Sequence, residues 1–231
     1  MTTATPFSWR SMLFVPTTSD RFLESAMRRP TDAIQLDLED SVSPDLKESA
    51  RARVGTLADR AAAAGYDVIV RVNRPWRLMV RDIEASVRAS VKAITLPKVP
   101  DGSMVRAVAE ILDECEVEAG LPRGHTRLIP MVEDAEGLHN MDAIAAAHPR
   151  VCAMIVGAED LAVSMRMAVD PDGLYVPNIM AVVACRRAGI APIGFVGSIA
   201  DFADQDKFRA TVQRAARLGF EGTFCIHPSQ V

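Results

Sequence analysis

Residues 33–42, AIQLDLEDSV, close an apolar run with three acids in four positions: Asp37, Glu39 and Asp40. Carboxylates this close repel one another and resist burial. Their grouping therefore points to a positive partner and to proton or cation chemistry. Arg71 stands between Val70 and Val72, Lys98 follows Pro97, and the pairs Glu133-Asp134 and Glu159-Asp160 end two further apolar runs. Glu133 and Asp160, brought to one height on neighbouring strands, would converge on one hard cation. Magnesium favours that arrangement, with one or two carboxylates plus water and substrate oxygens. Asp134 and Glu159, or either of their neighbours, could equally cap the helices that follow, and spacing leaves that choice open. An arginine flanked by valines needs an anion to be buried: it either neutralises Asp37 or Glu39, or holds an anionic substrate. Lys98 is read as a balance for the acids or an anion holder, with a Schiff-base lysine as the alternative.

Several chemistries are excluded. The four histidines form no ligand set, which weighs against zinc. There is no phosphate-binding loop, no dinucleotide fingerprint and no nucleophile elbow. Gly194 and Gly197 hint at a close backbone approach.

The acids and cations sit at the ends of short β-rich runs: 11–16, 33–39, 67–73, 93–99, 126–133, 152–159, 191–197 and 222–228. Helical segments alternate with them. One opens at Ser43-Pro44 and runs to about Ala63; one spans 103–119 with Val105, Val108, Ile111 and Leu112 on a stripe and Gly120 as its stop; one spans Asp206 to Leu218, stopped by Gly219. This alternation predicts parallel βαβ units, and eight strands predict an α/β fold, a (β/α)8 TIM barrel, with a doubly wound open sheet as the runner-up. A single TIM-barrel domain over 1–231 is expected, with the final closing helix missing from this chain. In such a barrel the chemistry gathers where strands end. Alternation along 33–39 turns Ile34, Leu36 and Leu38 to the helices and Gln35, Asp37 and Glu39 to the barrel mouth. The stretches 74–80 and 164–175 read as candidate active-site loops.

With 231 residues, 49% hydrophobic and 24% charged, the chain has the balance of a soluble globular protein. Its net charge of −4 and 5% aromatic content argue against nucleic acid or an anionic membrane as partner. No apolar run approaches membrane-spanning length, and the first residues lack a secretory signal pattern. Cys115, Cys152, Cys185 and Cys225 are isolated, which suggests reduced thiols in a cytoplasmic protein.

An ordered set of segments resembles the citrate lyase β-subunit-like family, grouped with the HpcH/HpaI aldolases. These are RSMLFVP (10–16), DAIQLDLEDSVSPDLKESAR (32–51), VRVN (70–73), LPKV (96–99), MVEDAEGLHNMDAIA (131–145), VGAEDLA (156–162) and LGFEGTFCIHPSQ (218–230). The resemblance implies a TIM barrel, commonly a homotrimer or hexamer. It also implies a Mg2+-dependent carbon–carbon lyase that cleaves a short 3-hydroxy acyl-CoA of citryl-, malyl- or citramalyl-CoA type to an acyl-CoA and a 2-oxo acid. By the same resemblance the metal ligands fall on Glu133 and Asp160 and the substrate-carboxylate arginine on Arg71. Related aldolases place a histidine base where Asp40 stands. Relatives often carry Pro-Gly after the first strand, where this chain has Pro16-Thr17-Thr18; Glu-Thr on strand five, where it has Glu133-Asp134; and an aspartate in strand seven, where it has Gly194. They also continue past IHPSQ into a segment that in some members lends a catalytic aspartate to a neighbouring subunit. An aldolase on free 2-oxo acids without CoA, and a non-catalytic ligand-binding or complex-forming subunit, are the alternative readings.

Overall fold

In the computed structural model, which describes residues 7–200 and 202–231, eight parallel strands form one nearly closed barrel. They are β1 (Ser11–Pro16), β2 (Ala33–Asp37), β3 (Asp67–Arg71), β4 (Val91–Leu96), β5 (Arg127–Val132), β6 (Ala153–Val156), β7 (Ala191–Ile193) and β8 (Thr223–Cys225). From β1 to β7 each pairs with the next in sequence, β1 also pairs with β8, and β7 meets the β8 side through a single bridge, Ile193 to Gly222. The barrel supersedes the open-sheet alternative.

Between the strands run α1 (Asp20–Ala26), α2 (Lys47–Ala63), α3 (Trp76–Ser86), α4 (Gly102–Glu118), α5 (Ala135–His139), α6 (Met141–Ala145), α7 (Ala158–Met165), α8 (Pro171–Ala188) and α9 (Gln205–Leu218). Asp101 starts α4 by accepting from the N–H groups of Ser103 (2.7 Å) and Met104 (3.1 Å). Gly120 and Gly219 take φ of +68° and +101° just past α4 and α9, so both are the stops that the sequence suggests. None of these helices is long and apolar enough to cross a membrane.

The strand faces divide as their alternation requires. Ile34, Leu36 and Leu38 are buried in the outer layer with Ala50, Val54 and Leu57 of α2. Each such Leu or Ile contributes about 1.5–3 kcal/mol by leaving water. The barrel interior is a second cluster, in which Ala33, Ala93, Ala153 and Ala191 leave room for Met12, Ile69, Ile129 and Phe224. Trp9 closes its lower end, donating Nε1 to Asp67 at 2.7 Å.

Several boundaries differ from the sequence reading. Residues 74–80 are not a loop: α3 starts at Trp76, and its Met79 and Ile83 bury against the barrel. The irregular part of 164–175 shrinks to the turn between α7 and α8, because Pro171 begins α8 behind the Asp170 cap. Ser43 holds the N-cap position, but a 3-10 turn (Pro44–Leu46) intervenes before α2. Apart from β1, the strands end earlier than their apolar runs suggest. Glu39, Glu133, Glu159 and His227 therefore all stand on the loops or first helical turns beyond them.

Candidate active site

The turn after β2 is held from two sides. Asp37 accepts the N–H of Glu39 (3.0 Å) and of Ser41 (3.0 Å), so its carboxylate folds the chain that carries the next two acids. Lys47, at the start of α2, donates its ammonium to the carbonyls of Leu38 (2.8 Å) and Glu39 (2.6 Å).

Arg71 ends β3 directly opposite Asp37. It grips both oxygens of that carboxylate, Nε to Oδ1 at 2.7 Å and Nη2 to Oδ2 at 2.8 Å, in the two-point geometry that suits a guanidinium. Its Nη1 lies 3.1 Å from Asp40 and 3.0 Å from Glu39, and the Phe14 ring covers it at 4.6 Å. One Nη2 hydrogen has no partner among the described residues. Burial would raise the Asp37 carboxyl, but the hydrogen bond and charge of Arg71 outweigh it and hold the group below its usual range. Burial also disfavours the Arg71 cation, yet its acidic neighbours keep it more firmly protonated than an ordinary arginine. Glu39 is different: burial, together with Asp40 and Glu133, pushes it up to about 7 against the pull of Arg71 and Lys98. Its Oε2 is buried and accepts no hydrogen bond.

The second half of the site hangs on Lys98. Its φ of +52° is a left-handed conformation, strained for a lysine. That bend aims the Lys98 N–H at Glu133 Oε2 (2.7 Å), while its ammonium lies 2.9 Å from Asp160 and 3.5 Å from Glu39. Burial would lower the Lys98 ammonium; the hydrogen bond to Asp160 and the charge of Glu39 reverse that and raise it. Glu133 is pushed up to about 7 by burial, with the charge of Asp160 adding to it and the Lys98 N–H opposing. A β-carbon at Gly157 would stand 2.4 Å from the Glu133 carboxylate, so this position must be glycine for Glu133 to lie where it does.

The acidic pairs divide their labour. Asp134 caps α5 by accepting the N–H of Gly137 at 2.7 Å, leaving Glu133 free to face the barrel mouth. In the first turn of α7, Asp160 meets Lys98, while Glu159 accepts from Ser198 at 2.6 Å and keeps Oε2 buried without a partner. The donors are all hard carboxylate oxygens, and Glu133 lacks a full counter-charge. Both facts fit a magnesium ion held by two carboxylates and completed by water and substrate. Among the described residues no group of three or more His, Cys, Asp or Glu is placed to hold an ion by itself, so such a site would need ligands from substrate or solvent.

A cavity of about 470 Å³ opens over this cluster, lined by Asp37, Asp40, Arg71, Glu133, Glu159 and Asp160 on one side. Glu39 lies behind that wall rather than in it. Of the other polar strand ends, Asn73 serves as scaffold: its amide donates to the Leu38 carbonyl (2.8 Å) and to buried Asp82 (2.7 Å), which also binds Arg51. His227 stacks on Phe202 at 4.6 Å and stays off the cavity wall. The four cysteines are free, and burial pushes the thiols of Cys152, Cys185 and Cys225 up to about 11, 12 and 12, which makes them inert packing groups. Lys47, Gly157 and Ser198 escaped the sequence reading. Only the lysine, at the start of a helix that follows an acidic turn, carried any local signal.

The chain is similar over nearly its whole length to known proteins. The family described as HpcH/HpaI aldolase/citrate lyase matches residues 10–228. The citrate lyase subunit beta of Leuconostoc mesenteroides subsp. cremoris is 33% identical, over 96% of this chain and 74% of the relative. The L-malyl-CoA/beta-methylmalyl-CoA lyase of Rhodobacter capsulatus is 32% identical over 96% and 76%. A (3S)-malyl-CoA thioesterase of Cereibacter sphaeroides is 34% identical over 99% and 75%. Among solved structures, CitE of Mycobacterium tuberculosis in complex with magnesium, acetoacetate and coenzyme A superposes with a TM-score of 0.73 at 26% identity, covering 96% of this chain and 78% of that one.

Proposed function

The chain belongs to the HpcH/HpaI aldolase/citrate lyase family, and from that premise we propose a magnesium-dependent lyase that cleaves a short 3-hydroxy acyl-CoA to an acyl-CoA and a 2-oxo acid. The observation that carries this reading is the placement of Arg71, Glu133 and Asp160 on one wall of one cavity at the barrel mouth.

Glu133 and Asp160 would hold the magnesium ion. When bound, it supplies Lewis-acid polarisation of the oxo-acid oxygens. Arg71 binds the substrate carboxylate. Asp40, whose side chain is 60% exposed, is the partner it exchanges. Once Asp40 yields Nη1, that group and the free Nη2 hydrogen offer a two-point contact while Asp37 keeps the guanidinium in place. Cleavage then proceeds by loss of the 3-hydroxyl proton and rupture of the C2–C3 bond. The oxygen becomes the carbonyl of the 2-oxo acid, and the electron pair forms the thioester enolate, which takes up a proton to give acyl-CoA. Asp40 lines the cavity and touches substrate. Glu39 stands behind the wall and does not touch substrate; pushed up to about 7, it is the member of the trio able to store a proton near neutral pH. Asp37, kept ionised by Arg71, positions both.

The same reading takes the enzyme to be cytoplasmic and a homotrimer or hexamer. Free buried thiols support the first, and the exposed Val163, Val176, Met180 and Val183 on α7 and α8 support a covered face for the second. Incubation with malyl-, citramalyl- and citryl-CoA and Mg2+ tests the reaction. Release of acetyl-CoA with a 2-oxo acid is expected. Free CoA and hydroxy acid without any oxo acid would make it a thioesterase instead, and cleavage of free acids alone would remove CoA from the reaction.

A further inference from the structure

The two walls of the cavity differ in kind. The wall built from the ends of β2, β3, β5 and β6 carries five carboxylates, Asp37, Asp40, Glu133, Glu159 and Asp160, with Arg71 as its lining cation and the Lys98 ammonium 2.9 Å from Asp160 beside it. The facing arc, where β7, β8 and β1 end, offers Phe14, Phe195, Phe224 and Ile226, with Met131 and Ile155 forming the floor between them. Phe224, Met131, Ile155 and Phe195 are deeply buried, whereas Ile226 lies at the rim, 42% exposed. Thr223, a polar residue on that arc, spends its hydroxyl on the Phe224 carbonyl at 3.2 Å. Gly194, at the end of β7, places no side chain there; a β-carbon would already touch Ile155 at 3.3 Å. Among the described residues, then, no lysine or arginine lines this arc and no hydroxyl on it is free to donate.

Resting on the lyase reading above, we infer that this arc is a subsite for the side group of the 2-oxo acid fragment, and that this side group is apolar. The C3 carboxylate of the substrate faces Arg71, so the second substituent on C3 turns away from the acidic wall, onto the floor beside Phe14 and Ile155. A hydrogen or a short alkyl group there loses water against apolar surface. A carboxymethyl group would bring a second negative charge against these apolar side chains, where the one lining cation, Arg71, is already engaged by Asp37 and by the C3 carboxylate and no side-chain hydroxyl is free to donate. The substrates favoured are thus those that release a monocarboxylate such as glyoxylate, pyruvate or 2-oxobutyrate; citryl-CoA, which releases oxaloacetate, is disfavoured.

Calorimetric titration of the full chain with pyruvate, 2-oxobutyrate and oxaloacetate at fixed saturating Mg2+ tests the subsite without relying on turnover. Pyruvate and 2-oxobutyrate are expected to bind about tenfold or more tightly than oxaloacetate. Equal or tighter binding of oxaloacetate overturns the inference, and so does failure of all three to bind. Ile226→Arg, at an exposed position, places a cation on the arc and is expected to narrow the gap several-fold; an unchanged ratio overturns the placement of the side group. Parallel assays with the three acyl-CoA substrates separate the two claims. Cleavage of citryl-CoA as efficiently as citramalyl-CoA would sink the subsite and keep the lyase, whereas the binding preference without any cleavage would keep the subsite and sink the lyase.

Discussion

Two of the buried ionic clusters among the described residues lie at opposite ends of the barrel, and they are built on opposite principles. At the lower end, Glu116 of α4 is fully buried and Arg150 is 4% exposed. Arg150 grips both Glu116 oxygens at 2.7 and 2.6 Å, donates to the Thr126 carbonyl and also contacts Asp113. The same carboxylate accepts the N–H groups of Thr126 (2.7 Å) and Gly124 (2.8 Å). Burial would raise Glu116, but Arg150 and those amides outweigh it and keep it low. At the mouth, carboxylates outnumber cations by more than the two acids around Arg150 do below. Glu39 and Glu133 are pushed up to about 7, and buried oxygens on Glu39 and Glu159 go without hydrogen bonds, as does Arg150 Nε in the lower cluster. The lower cluster fixes one arrangement of α4, β5 and the chain before β6. The upper one is left short of positive charge, which is the condition a cation and an anionic substrate can relieve. Imbalance, rather than burial of charge as such, marks the functional end.

Substitutions at matching positions should pull the two clusters apart. The largest effect on chemistry is expected for Glu133→Gln, which should lower kcat by about 10³-fold or more while leaving the melting temperature unchanged or higher. Steady-state kinetics beside thermal melting would show this split. Glu116→Ala should do the reverse: a loss of about 3–5 kcal/mol in urea unfolding, because Arg150 is left buried without its partner, and near-normal kcat in the molecules that fold. Gly157→Ala forces the Glu133 carboxylate aside and should weaken Mg2+ binding and activity about 10²-fold, with a smaller change in stability. The mildest test is pH. Glu39 and Glu133 rise from 4.5 to about 7 on folding. Between those values the folded chain binds more protons than the unfolded one, so stability falls as pH increases across that window. The Mg2+-free protein should therefore melt several degrees higher at pH 5 than at pH 8. Saturating Mg2+ should reduce the difference, since the ion and the protons compete for the same carboxylate.

The upper cluster was the more legible of the two. Alternation in AIQLDLE places Asp37 on the inward face, and the parallel register sets Arg71 opposite it, so that contact follows from strand geometry. Glu116 and Arg150 lie 34 positions apart on a helix and a loop, and no periodicity links them. Nor could spacing assign Asp134 to the cap and Glu133 to the mouth: the cap depends on the extended backbone at Asp134 and on how α5 leaves β5. The segment 74–80 misled because Arg74, Pro75, Trp76 and Arg77 read as irregular, while packing of Met79 and Ile83 against the barrel carries α3 through it. Lys98 was visible as a charge, but its left-handed backbone, which turns the N–H onto Glu133, has no signature in the residue type.

The central claim is that Glu133 and Asp160 bind magnesium, and calorimetric titration of Mg2+ into the wild type and into Glu133→Gln tests it most directly. A single site in the wild type, lost or weakened about 10²-fold or more in the variant at equal folded fraction, is the predicted result. The same affinity in both proteins would contradict it.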